Sequence, residues 1–362
     1  MKKSLLILTA TAIVVGCAKT DSLNETNEIP IGFTKVYIEN ATKAITTGAY
    51  TTANFETVGN TFGVFGYKTT PTQSNTLLFN DQEVEYKSGL STSAGYNATT
   101  DWAYSPLKYW DKNASAYNFY AYAPHESDFT GTAALSSNSA TAFSISGFKQ
   151  ATTQAAMIDL MTDLSSKATV SGTAIGTNDV AFTFGHILSN INVKMAVGDA
   201  LKADNTDNPV TVVSLTLGAI KMDGDYAYNT TASKYEWTLA TTSPTTQTFP
   251  ATQTSGNVFA SDALTSVTTG YTDVPAMTNL LFVPQTVDAG YKFVIQYKLK
   301  NEVFDAEIPL SSFKNTSNAG LATWEPGNKY TYQIVIGPNP ILFDLSGVSD
   351  WADGGTYTYV IE

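Results

Sequence analysis

From Thr61 onward the chain is a succession of short apolar runs broken by Gly, Pro, Asn, Ser and Thr, a pattern that admits little besides paired β-strands. Thr-Phe-Gly-Val-Phe-Gly-Tyr at 61–67 carries glycines where a bulge or close backbone approach is expected. Residues 77–87 read as a hairpin arm with Phe79, Val84 and Tyr86 as its apolar positions, and Tyr-Asn-Phe-Tyr-Ala-Tyr at 117–122 reads as a strand ended by Pro124. Residues 127–146 are Ser/Ala/Thr-rich and read as loop with weak strand, while 154–161 fit a helical turn and a strand alike. Further strands are expected at 180–184, 191–197, 210–220, 280–284, 291–299, 304–310 and 330–336, with polar turns at 229–233 and 241–248. No amphipathic helix of several turns and no internal repeat stands out. The predicted class is all-β, two β-sandwich domains of transthyretin-like or Greek-key type in tandem.

With 362 residues there is room for two domains, and a Ser/Thr/Gly-rich span at 167–178 marks the expected link. The boundaries follow as 44–175 for an N-terminal domain and 176–362 for a C-terminal one. Formal charge is -12, which disfavours nucleic acid and anionic membrane surfaces as partners. All 20 basic residues are Lys, so the side chain suited to bidentate phosphate recognition is missing. The one cysteine is Cys17, which leaves the remaining chain without disulfides, thiol nucleophiles or thiolate metal sites.

That cysteine closes a signal. Lys2 and Lys3 precede an apolar run at 5–15 too short to span a bilayer, and Val-Val-Gly-Cys at 14–17 ends it as a lipobox does. Residues 1–17 are therefore expected to be a lipoprotein signal with lipid, such as palmitate, on Cys17. A polar tether at 18–28 follows, then Ile-Pro-Ile-Gly-Phe-Thr-Lys-Val-Tyr-Ile at 29–38 with the residues of a strand, then a small loop around Thr42-Lys43-Ala44. Anchor, spacer, strand and cleavable loop suit a precursor whose propeptide is 18–43. At the other end Thr-Tyr-Thr-Tyr-Val-Ile-Glu alternates, placing Tyr357, Tyr359 and Ile361 on one face of an unprotected strand suited to insertion into another subunit.

Catalytic chemistry finds little footing. Of the two histidines, His186 sits among apolar residues and reads as packed, while His125 reads as surface decoration beside Glu126. Neither has the neighbours of a hydrolytic triad, and no phosphate-binding glycine loop is present. Asp223/Asp225 and Asp350/Asp353 lie beside glycines, read as turns, and lack the ligand count of a calcium loop. No enzyme activity, cofactor or metal is expected. The aromatic-dense stretch from Trp102 to Tyr122, including Trp110, reads as core, with a sugar-stacking platform as the competing view.

Taken in order, these segments resemble the fimbrillins, lipoprotein-precursor subunits of type V pili in Gram-negative anaerobes. The likeness rests on the lipobox, the opening strand with Thr42-Lys43-Ala44, 62–67, Tyr109-Trp110 with 118–122, and Asp159-Leu-Met161. It extends through Phe184-Gly-His186 with 191–195, Trp324-Glu-Pro-Gly-Asn-Lys-Tyr-Thr-Tyr332, and Val348-Ser-Asp-Trp351. The resemblance implies two sandwich-like domains, export to the outer membrane, proteolytic removal of the first strand, and its replacement by a neighbour's terminal strand at the cell surface. In that family the cut often follows arginine; Lys43 stands here, so an arginine-only protease would not process this chain. The partners implied are other copies, related pilins, a surface protease and a host glycan or protein ligand.

In the opening strand Ile29, Ile31, Phe33 and Tyr37 share one face, while Val36 and Ile38 fall on the other, so a bulge or change of burial near Thr34 is expected. Burying four or five such side chains contributes on the order of 6 to 15 kcal/mol before ordering costs. The other function class is a surface lipoprotein or tip adhesin that binds glycans without polymerising, which requires the aromatics of 102–122 to be exposed in a row.

Overall fold

The structure, a computed structural model, describes residues 29–38, 52–87, 101–167, 169–170, 179–203, 210–241, 246–249, 264–299, 302–314, 320–337, 342–344, 352–357 and 359–360. The chain is all-β, and the longest helix among the described residues is Asp199–Ala203. The stretch left open at 154–161 is a short 3-10 turn at Gln154–Ala156 running into the strand Met161–Asp163.

Layering follows from two strands that are apolar on both faces. In Thr61–Thr69 and Ala116–Ala123, Phe62, Val64, Tyr117, Phe119 and Ala121 enter a smaller core, while Phe65, Tyr67, Tyr120 and Tyr122 enter a larger one. This is the period-two alternation of a strand, with both sides buried instead of one. Close approach fixes Gly66 in this strand, since a Cβ there would lie 2.7 Å from the Phe79 ring.

These strands form the middle of an eight-stranded sheet. Its order is Phe33–Ile38, Val180–His186, Met161–Asp163, Ala116–Ala123, Thr61–Thr69, Thr76–Tyr86 and Trp102–Ala103, with Thr169–Val170 also on Ala116–Ala123. The Ser/Ala/Thr-rich stretch folds as the hairpin Thr130–Leu135 and Phe143–Lys149. It continues into Asp223–Asn229 and Lys234–Leu239 as a four-stranded sheet over the larger core. A second four-stranded sheet (Thr246–Phe249, Thr211–Lys221, Lys292–Leu299, Glu302–Pro309) shares that core with a seven-stranded one built on Ser189–Val197 and Asn328–Ile336.

Hydrogen bonding crosses the expected division at residue 175. Val180–His186 pairs with Met161–Asp163, and Asp223–Asn229 pairs with Phe143–Lys149. The larger core likewise runs from Phe65 to Ile336. The larger core is covered jointly by Phe143–Lys149 and its partner Asp223–Asn229, and Val180–His186 adds Phe182 and Phe184 to the smaller one.

Candidate functional site

The first described strand plugs the smaller core. Phe33–Ile38 lies at the end of the eight-stranded sheet, parallel to Val180–His186. Phe33 is fully buried in a cage of rings: Phe62 at 5.8 Å, Phe79 at 5.8 Å, Tyr104 at 5.5 Å, Phe119 at 6.4 Å and Phe182 at 5.9 Å between centroids. All but Phe182, which is stacked, meet it edge-on, the arrangement favoured by ring quadrupoles. Ile31 and Ile38 are also buried. The three side chains contribute about 5 to 9 kcal/mol before ordering costs, a large share of the stability of a domain.

The residues just before this strand are held on their other side. Ile31 N donates to Lys108 O at 2.8 Å and Trp110 N donates to Ile29 O at 3.0 Å, while Val180 N donates to Gly32 O at 2.8 Å. The Tyr104 hydroxyl donates to Ile31 O at 2.7 Å and accepts from Lys108 N at 3.2 Å. Burial pushes the Tyr104 phenol up to about 12, partly opposed by its bond to the Lys108 backbone. Residues 104–110 thus form a second wall for the opening segment. Sequence reasoning had noted their aromatic density without finding this role.

The register slips between Thr34 and Tyr37. As a result Ile38 points inward, and Tyr37 is 48% exposed. The expectation that Tyr37 shares the face of Ile31 and Phe33 is therefore corrected: the bulge reverses the alternation after Thr34. Ile29 is half-buried against the smaller core.

The C-terminal run is paired within its own chain. Ala352–Tyr357 lies parallel to Asn328–Ile336, with Tyr357 opposite Tyr332, and Tyr359–Val360 pairs antiparallel with Leu342–Asp344. In a single copy the neighbouring sheet edge takes up the strand expected to stand free. Cys17, Lys43, Ala44 and Ile361 lie outside the described residues.

The fimbrillin-like family matches this chain over residues 42–351. The chain belongs to the fimbrillin-like family. It is 27% identical over 387 aligned residues to the fimbrium subunit Fim1C of Phocaeicola vulgatus, covering 97% of each sequence. Its fold is similar to the crystal structure of a fimbrial protein from Bacteroides vulgatus, with a TM-score of 0.56 at 20% identity over 88% of this chain and 98% of that one.

Within this fimbrillin-like fold the remaining candidates fall into place as structure. His186 Nδ1 lies 2.9 Å from Asp159 Oδ1, and both side chains are buried, so two separate motif segments meet in one internal polar pair. His125 is not surface decoration. Its side chain is only 13% exposed and stacks on Tyr122, because Pro124 and the Glu126–Asp128 turn fold it back over the sheet. Asp223 and Asp225 lie in a strand instead of a turn, and Asp225 accepts from Gly147 N at 2.6 Å. Asp353 is in the strand Ala352–Tyr357, and Asp350 lies outside the described residues.

Trp102, Tyr104, Trp110, Tyr117, Phe119, Tyr120 and Tyr122 are all buried, with Tyr109 the exposed exception. They belong to the two cores and form no exposed row. The glycan platform considered for this stretch is overturned: rings on both faces of a sheet covered on both faces have no solvent side.

Proposed function

We propose that this fimbrillin-like chain is a non-catalytic structural subunit of a cell-surface pilus that supports adhesion. It is exported as an outer-membrane lipoprotein anchored through Cys17 and cut between Lys43 and Ala44 by a surface protease that accepts lysine. Cleavage frees the segment carrying Ile29, Ile31, Phe33 and Ile38, and a neighbour's terminal strand, with Tyr357, Tyr359 and Ile361, takes the vacated seat. Fimbrial relatives support the assembly. One observation carries the mechanism: Phe33, on a strand at the sheet's end and upstream of the cleavable loop, fills an aromatic cage that collapses or binds a substitute once emptied.

Such an exchange is directional, because each subunit gives one strand and accepts one, and a head-to-tail contact that does not close makes a filament. The donor must first leave its own sheet, where Tyr359–Val360 is held by two residue pairs to Leu342–Asp344 and Tyr357 by the end of the parallel pairing to Asn328–Ile336.

The test is processing. Lys43→Ala in full-length protein expressed on cells is expected to accumulate as a monomer retaining its first strand, while the unaltered chain yields polymers beginning at Ala44. Filaments of Lys43→Ala that still carry residues 29–38 would sink the proposal.

A further inference from the structure

Away from the Phe33 cage, a cavity of about 520 Å³ opens between Lys234–Leu239 and the segments 284–286 and 323–326. Lys234–Leu239 is the last strand of its four-stranded sheet among the described residues. Side chains from both of its faces line the opening, so the cavity runs along the strand's outer side. We propose that this cavity is a binding subsite for a neutral saccharide.

The argument starts from what its rings have left to offer. Trp237 Nε1 donates to Ile187 O at 2.7 Å, and the Tyr235 hydroxyl donates to the carbonyls of Ala140 and Phe143. The polar ends of both side chains are thereby committed inward. Each ring is also backed by others: Tyr226 stacks on Tyr235 at 5.0 Å, and Phe148 lies 5.5 Å from Trp237. Both residues remain only half-buried, so what they present to the cavity is carbon surface fixed in place. Pro284 and Pro326 add further apolar wall. Held aromatic and proline surfaces suit the C–H face of a pyranose, which binds with little ordering cost when the platform is rigid.

The rim supplies partners for hydroxyl groups. Thr286 and Glu325 are exposed there, with Thr323 and Glu236 half-buried beside them. Glu236 accepts from Asn229 Nδ2 at 2.7 Å and pairs with Lys234 at 3.2 Å, and these bonds hold its carboxyl below the usual range. The Glu236 carboxylate therefore accepts from sugar hydroxyls at neutral pH, and the lysine lining the cavity is already engaged. On a chain of formal charge -12 this arrangement disfavours an anionic sugar and selects a neutral one. The volume is that of a small-ligand site.

The experiment uses the full, uncleaved chain, so its result does not depend on polymerisation. Neutral hexose oligosaccharides and sialylated ones are arrayed, and the best neutral binder is titrated by tryptophan fluorescence. A peptide of residues 355–362 serves as an extended-strand probe. Saturable binding of a neutral saccharide is expected, weakened about five- to tenfold by Glu325→Ala and by Thr286→Ala at unchanged melting temperature. Trp237→Ala should abolish it. Because Trp237 packs against Phe148, the two exposed variants keep the test decisive if that third protein folds poorly. No neutral binder on the array, binding untouched by the two exposed variants, preference for sialylated sugars, or occupation by the peptide in place of sugar would each overturn the inference.

Discussion

The two ends of the described chain are both edge strands, yet they are held in opposite ways. The first end sinks Ile31, Phe33 and Ile38 into the smaller core and is gripped from both sides by backbone hydrogen bonds. The last end rests on a sheet edge through a two-pair ladder at Tyr359–Val360, beside a longer parallel pairing at Ala352–Tyr357. Removing the first leaves an aromatic cavity, whereas releasing Tyr359–Val360 breaks a ladder of two residue pairs. A strand that fills a cavity is thermodynamically hard to lose, and a ladder of two residue pairs holds far less. In the processing scheme proposed above, that asymmetry would keep the plug seated until a covalent cut releases it and leave the C-terminal strand as the easier one to give.

The comparison breaks first at Phe33. Phe33→Ala is expected to destabilise the uncleaved chain by about 3 to 5 kcal/mol, because the surrounding rings belong to separate strands and collapse only partly into the gap. Urea unfolding of the two proteins measures this. A loss below about 1 kcal/mol would mean that the seat closes easily, and that an emptied groove has no need of a neighbour's strand.

Tyr104 sharpens it next. Tyr104→Phe strips the Ile31 carbonyl of its buried donor and is expected to cost about 1 to 3 kcal/mol. The phenol also predicts a pH signature. Its folded pKa of about 12 lies above the ordinary value of about 10, so the protonated form is the one the fold favours. The stability it contributes is complete below about pH 10 and is lost as pH rises through about 12. Stability profiles of the parent and Tyr104→Phe should therefore diverge below that window and converge above it. Parallel profiles across the range would remove Tyr104 from the clamp.

Much of this was legible in the sequence, for a physical reason. Strands such as Thr61–Thr69 and Lys292–Leu299 announce themselves by β-rich composition and bounding turns. The opening segment was legible as a strand too, and its bulge was foreseeable from apolar residues on both sides of Thr34. What stayed hidden is set by tertiary contact. Alternation sorts the rings of Ala116–Ala123 into two sets, but nothing local says that both faces are covered or which core each set enters. Nor does spacing reveal that Phe143–Lys149 pairs with a strand beginning at Asp223. Tyr37 was misplaced because alternation was continued through the bulge. Trp237 and Tyr235 were passed over because a turn at 229–233 was easier to see than the hairpin around it.

The smallest effect on the monomer should come from the end proposed as the donor. Deleting residues 358–362 removes the described ladder to Leu342–Asp344 and leaves the longer Ala352–Tyr357 pairing in place. A net contribution of about 1 kcal/mol is at stake, equivalent to a shift in Tm of about 2 °C for a chain of this size. The same deletion takes Tyr359 and Ile361 from the donor strand and is expected to stop filament growth in Lys-cleaved protein, while co-cleaved parent subunits still elongate. Calorimetry of the uncleaved deletion and electron microscopy after cleavage separate the two readouts. If the monomer instead melts many degrees lower, the C-terminal strand is a structural element of its own subunit. The donor must then be sought elsewhere in the chain.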